Sequence, residues 1–390
     1  MAALARRRFP VRFQGHRGGD LLSGGILGPP VGKALMTASV RRPLTNLLAP
    51  AAVVAGLAAV LAACSSPAPP PAPPPPAPVA VIIPPVSLSP KVVEQASAYR
   101  AYLARAGAIS PAFTGGPDVA QGLKAGEAYE PAALLRGQIA YGAVAALQEP
   151  EFVAGVRKFV ADPDQRRQVA YEVMKDPAYA LGFAGSAKAA GLVMGALQDD
   201  GKKLVDLGLS VKQAAYDVQH QSWSKAEVAG RDTRLTLAKE LSSTPNLGEI
   251  AETARLQSAV TGAGGQMGLT PSDVAPPYTP VVVRALAVAA LAALGYADDA
   301  SLGQVMPMLA EPNAANCLNM SKLNLYQCLA VAKPHYEDVF CLGQHALTDT
   351  GRCLMKDAGA ADPVQAAPPP EPKVTPVSTK KKGRGRAKKS

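Results

Sequence analysis

The chain has 390 residues, a formal net charge of +10, and 48% hydrophobic but only 5% aromatic residues. Its basicity is terminal: residues 1–63 hold eight Lys/Arg against one acid, which leaves +3 for the remainder, and residues 380–390 hold seven positive side chains, so the stretch between carries about −4. A mildly acidic body excludes recognition of nucleic acid through a basic face.

Residues 1–35 form an Arg- and Gly-rich preamble longer than a signal n-region and read as a start-site artefact or a disordered extension ahead of Met36. From Met36, Arg41 and Arg42 supply a charged n-region, and an uncharged run of 21 residues, Pro43–Ala63, closes on Leu61-Ala62-Ala63-Cys64. These four residues resemble the lipobox of bacterial lipoproteins. The resemblance implies that residues 36–63 are a signal peptide cut before Cys64, that the Cys64 sulfur is diacylated, and that the mature chain hangs from a membrane by its lipid. Serine at position 65 implies sorting to the outer membrane, facing the periplasm. An uncleaved membrane span, which takes roughly 20 apolar residues, is the competing reading; Pro50 interrupts the run, and a span gives no reason for a cysteine at its end.

Residues 64–90 hold twelve prolines from Pro67 to Pro90, which restrict the chain to polyproline II. At about 3.1 Å per residue this tether reaches roughly 70 Å. The body that follows, of roughly 270 residues, is long enough for one large domain or two small ones. Its pattern predicts an all-α fold, a multi-helix bundle or stacked short helices over 91–310. Ser89-Pro90 marks a helix start, with Val92, Ala96, Tyr99 and Leu103 at helical spacing and Gly107 as the stop. Acid-proline starts recur at Glu130-Pro131, Glu149-Pro150, Asp162-Pro163, Asp176-Pro177 and Glu311-Pro312. Gly182, Gly185, Gly191 and Gly195, with Ser186, Ala189 and Ala190, suggest a small-residue seam on one helix, read as tight packing within a bundle. Leu204, Leu207, Val211, Ala214 and Val218 line one face of an amphipathic helix. Val281–Ala293, apolar almost all round, predicts a central buried helix.

Several chemical signatures fail on their context. Ser222-Trp223-Ser224-Lys225 matches an S-x-x-K core, but no K-T-G partner exists. Gly262 to Gly268 lacks dinucleotide-loop spacing and reads as a loop ahead of Pro271. His335 with Glu337 is equally well explained as a helix first turn. No catalytic, cofactor-binding or metal-binding residue is assigned.

Four of the five cysteines fall in one 37-residue stretch: Cys317, Cys328, Cys341 and Cys353. In an exported, oxidising compartment an even set implies two disulfides. If Leu318–Ala332 is one helix, Cys317 and Cys328 are roughly 16 Å apart along it, too far for a bridge that needs Cα atoms within about 7 Å. The four positions are nearly symmetric about a turn near Lys333, so an antiparallel hairpin over 311–357 favours nested pairing, 317 with 353 and 328 with 341. Sequential and crossed pairings stay open. The arrangement is similar to twin-cysteine α-hairpins, although the spacers differ. A metal reading, with Cys328, Cys341 and His345 as ligands, requires thiolates that oxidation removes. Reduction is expected to loosen the hairpin and leave the other helices folded.

Residues 358–390 combine prolines with a basic end, Lys380, Lys381, Lys382, Arg384, Arg386, Lys388 and Lys389, which predicts a disordered tail attracted to peptidoglycan or anionic lipid. The functional expectation is a lipid-anchored envelope protein acting as a non-enzymatic scaffold or binding module for another envelope protein, with no nucleic-acid partner and no cofactor. The alternative is a cell-wall or surface-polysaccharide-processing enzyme with an unidentified carboxylate pair.

Overall fold

A computed structural model describes residues 83–262 and 267–360. The signal segment with Cys64, the tether up to residue 82, and the basic tail with Lys380–Lys389 lie outside the described residues. Within them the chain forms fourteen α-helices and no strand.

Side-chain caps set six of the fourteen helix starts. α1 (Pro90–Gly107) begins with Ser89 accepting from the Lys91 amide. α3 (Pro131–Ala146), α4 (Pro150–Arg157) and α5 (Pro163–Lys175) each begin with proline after an acid whose carboxylate accepts from first-turn amides: Glu130 from Ala132 and Ala133, Glu149 from Glu151, Asp162 from Asp164 and Gln165. Proline costs nothing at a first-turn position because its missing N–H has no intrahelical acceptor there, and each such cap contributes about 1 kcal/mol. Asp176-Pro177 departs from the pattern. Asp176 caps the Ala178 amide, but the turn it opens, Pro177–Gly182, is a 3-10 segment.

The longest helix, α6 (Ser186–Asp217), follows Gly185, whose φ of 79° lies in the left-handed region. The expected seam from Gly182 to Gly195 is therefore not one helical stripe: Gly182 closes the 3-10 turn, Gly185 precedes the helix with the Phe152 backbone against it, and of the seam's two glycines within the helix only Gly191 is tightly approached, by the Ser272 carbonyl, whereas nothing lies near Gly195. α10 (Pro280–Leu294) is the buried centre, with every residue from Ala285 to Leu294 fully buried against α3, α6, α4 and α5. No described helix is long and apolar enough to cross a membrane.

α12 (Pro312–Val331), opened by Glu311 accepting from the Ala314 amide, turns back into a second helical arm. That arm runs without a break through α13 (His335–Cys341), a π-helical stretch at Leu342–Asp349, and α14 (Thr350–Asp357). The hairpin packs on α6, α3 and α2 (Gly116–Glu127) and on α8 (Arg231–Leu241), and it belongs to the same compact unit as the rest of the described chain. The division of the sequence at 310/311 is thus one of pattern, and the two stretches share a core.

Both ends of the body extend past the expected limits. Residues 83–89, counted with the tether, are packed: Leu88 is buried, the Ser87 amide donates to Ala292 O (3.3 Å), the Ser89 amide donates to Ala297 O (2.6 Å), and Arg157 holds Pro84 O (3.1 Å). Residues 358–360, counted with the tail, are docked as well: Ala358 is buried and its carbonyl accepts from Gln198 (2.9 Å). Proline does not prevent docking here, because carbonyls and the amides of neighbouring residues make these contacts.

Candidate functional site

The two disulfides are nested. Cys317 pairs with Cys353 and Cys328 with Cys341, each with Cα atoms 5.7 Å apart. The hairpin joins the four in two pairs, as its near-symmetric spacing implies, and the bonds consume the sulfurs that a metal reading needs. His345, on the π-helical stretch, instead bonds Asp349 through Nδ1 (2.7 Å), and Asp349 also accepts from Gln344 (2.9 Å). Among the described residues no group of three His, Cys, Asp or Glu side chains is placed to hold a metal ion.

Beside the hairpin turn lies a groove of about 500 Å³, within the range of small-molecule sites. Its walls are Val119 and Leu123 of α2, Trp223, the segment Ala226–Ala229, and His335 and Asp338 of α13. Backbone pairing positions the outer wall: the Val228 amide donates to Lys333 O (2.8 Å) and the His335 amide to Ala226 O (3.2 Å). His335 seats its ring over Gly116, where a Cβ would stand 2.6 Å from the imidazole, and faces Trp223 with ring centroids 6.2 Å apart. Burial, with Arg234 nearby, holds the imidazole below its ordinary pKa, so it is neutral at pH 7. Arg234 donates to the Asp338 carboxylate and to Leu329 O, and these partners neutralise the floor of the groove. Such a site accepts an apolar group. The S-x-x-K stretch is the short helical turn Ser222–Lys225, in which Ser222 and Lys225 are exposed and the buried Ser224 hydroxyl donates to the Val218 and Gln221 carbonyls. His335 and Glu337 do not converge either, since Glu337 accepts from the Lys333 amide (2.8 Å) at the turn.

Behind the groove sits a polar cluster that sequence patterning does not reveal. Lys322 of α12 is buried, donates to the Glu127 carbonyl, and lies 3.5 Å from the centroid of the Tyr129 ring. Ser321 beside it bonds Thr350 (2.9 Å), which also meets the Tyr129 hydroxyl (2.8 Å). Burial drives the Lys322 ammonium well below its ordinary range and pushes the Glu127 carboxyl up to about 7, with Lys322 opposing the latter shift. Asp338 rises to about 6 by burial, against the pull of Arg234. Each residue looks like an ordinary surface charge in sequence; only α2, α8, α12 and α13 meeting makes them a cluster.

A third carboxyl yields a clean pH prediction. Asp357, the last residue of α14, is buried with Oδ2 unpartnered, and burial together with Glu311 pushes its pKa up to about 7. The folded chain therefore holds a proton that the unfolded chain releases near pH 4. The stability this contributes is fully present below that pH and is lost as pH rises through about 7. In urea titrations between pH 5 and 8, Asp357→Asn should flatten the decline of the native chain by about 1–3 kcal/mol. Parallel pH profiles for the two proteins would refute the assignment.

No family model, curated protein or solved structure matches the chain.

Proposed function

We propose that the chain is a lipid-anchored component of the bacterial cell envelope and acts there as a non-enzymatic scaffold or binding module. The observation that carries this reading is the order of parts: a charged n-region, an apolar run ending in Leu61-Ala62-Ala63-Cys64, a proline tract, and then a body closed by two disulfides. Disulfides persist in oxidising compartments, which supports export. In this reading the lipid on Cys64 is the anchor, the proline tract is the spacer, and the helical body presents the partner surface. The basic tail adds an electrostatic contact to peptidoglycan or anionic headgroups worth about 1 kcal/mol per charge close to the surface. The outer membrane is the proposed location.

The polysaccharide-enzyme reading needs two accessible convergent acids. Glu127 and Asp338, the neighbouring carboxyls with raised pKa values in the cluster, are 3% and 1% exposed and face Lys322 and Arg234. Their burial supports the binding reading.

Metabolic labelling with a fatty acid tests the anchor. The native chain should incorporate label and sediment with membranes, while Cys64→Ser should remain an unlabelled, uncleaved precursor. Label retained on the serine variant defeats the lipoprotein assignment. Cross-linking of native envelopes followed by mass spectrometry should recover an envelope protein joined to the helical body.

A further inference from the structure

The chain contains six asparagines, and four of them, Asn313, Asn316, Asn319 and Asn324, fall within twelve residues of α12. Asparagine is a poor helix former because its carboxamide competes for backbone hydrogen bonds. Local folding therefore gives no reason for the concentration. Asn313, Asn316 and Asn324 share one side of the helix and line a second groove, of about 500 Å³, between α12 and α14. None of the three makes a side-chain hydrogen bond among the described residues. The groove beside His335 differs in this respect, since its buried ion pair is matched internally.

The opposite wall carries Asp349, Arg352 and Lys356, and the Cys317–Cys353 disulfide ties the two walls together. Antiparallel pairing places Lys356 toward the Asn313 end and Asp349 toward the Asn324 end. Arg352 lies between them, 3.8 Å from Asp349. Seven residues of helix separate the acidic and basic ends by roughly 10 Å. No aromatic side chain lines this groove, so it offers no stacking face for a sugar ring. A carboxamide, by contrast, offers one donor group and one acceptor, the same pair that a peptide unit presents.

We propose that the α12/α14 groove binds a short extended peptide, with its carboxylate toward Lys356, its amine toward Asp349, and its backbone amides on the asparagine row. At about 3.3 Å per residue, a span of roughly 10 Å corresponds to a peptide of about four residues. The proposal rests on the binding-module reading and specifies the ligand class of one face.

The test uses the full-length protein and tetra-alanine with both ends free, followed by isothermal titration and by amide chemical shifts. Amidating the peptide's carboxylate, acetylating its amine, or making Lys356→Ala or Asn316→Ala in the protein should each weaken binding by about five- to tenfold. Both substituted residues are solvent-exposed, and an unchanged far-UV spectrum with intact disulfides confirms folding. The assignment is overturned if tetra-alanine produces no saturable shift at millimolar concentration, if the blocked peptides bind as well as the free one, or if only an N-acetylglucosamine oligomer binds. If the peptide fails while cross-linking still finds a partner on the body, the groove assignment falls and the binding-module reading stands.

Discussion

Gly343→Ala should lower the unfolding free energy by about 2 kcal/mol or more, and Gly208→Val should prevent stable folding. The hairpin meets α6 through four glycines whose backbones touch. A Cβ on Gly343 would lie 2.8 Å from Gly208 O and 2.9 Å from Lys212 Cα, with the Lys212 amide closer still. One on Gly208 would meet the Thr348 amide at 2.6 Å and Gly343 O at 2.8 Å. Two turns away, a Cβ on Gly351 would stand 2.7 Å from Gly201 O, and one on Gly201 would stand 2.8 Å from Gly351 O. The obstructing atoms are mostly backbone, which no rotamer change can move. Overpacking of this kind costs about 1–3 kcal/mol or more and outweighs the roughly 1 kcal/mol that alanine gains over glycine in a helix. Gly195→Ala is the control on the same helix: nothing lies within 4 Å of its would-be Cβ, so it should stabilise by about 0.5–1 kcal/mol. Urea denaturation of the three variants decides the matter. A Gly343→Ala protein as stable as the native chain rules out the close crossing.

Reduction of the two disulfides should destabilise the whole body in one step, by roughly 3 kcal/mol for each bond, the first one broken costing less than it would alone. Cys328–Cys341 closes 13 residues and Cys317–Cys353 closes 36, but the loops are nested, so each bond already shortens the other's closure. The sequence pattern suggests a separate hairpin that loosens alone. The packing argues otherwise: Leu318, Leu325, Leu329, Leu342, Leu347 and Leu354 from both arms are buried in the same core as α10. Trp223, the one tryptophan, packs beside His335 and reports on the hairpin, while the far-UV signal reports on all helices. With and without reductant the two signals should give coincident transitions. A tryptophan transition that precedes the loss of helix would restore the independent hairpin.

The parts of this protein legible in its sequence are those encoded within about four residues or by a single repeating period. An acid followed by proline supplies both a side-chain acceptor and a residue with no amide to waste, so Glu130, Glu149, Asp162 and Glu311 mark their helix starts without help from the rest of the chain. Val281–Ala293 has no polar side except Arg284, and burial at the centre is the placement that leaves least apolar surface in water. Cysteine spacing together with helical rise favours the nested pairing, since both are lengths along one chain. Close approach is a property of pairs. Gly208 and Gly343 stand 135 positions apart in sequence, and nothing near either one shows that their backbones will touch, whereas Gly191 and Gly195 look like a seam and only one of them is crowded. The same holds for Lys322, Glu127, Arg234 and Asp338, whose burial and shifted ionisation arise only where four helices meet. The body's ends, at residues 83–89 and 358–360, were likewise decided by tertiary contacts, because a backbone carbonyl finds a partner whatever its side chain.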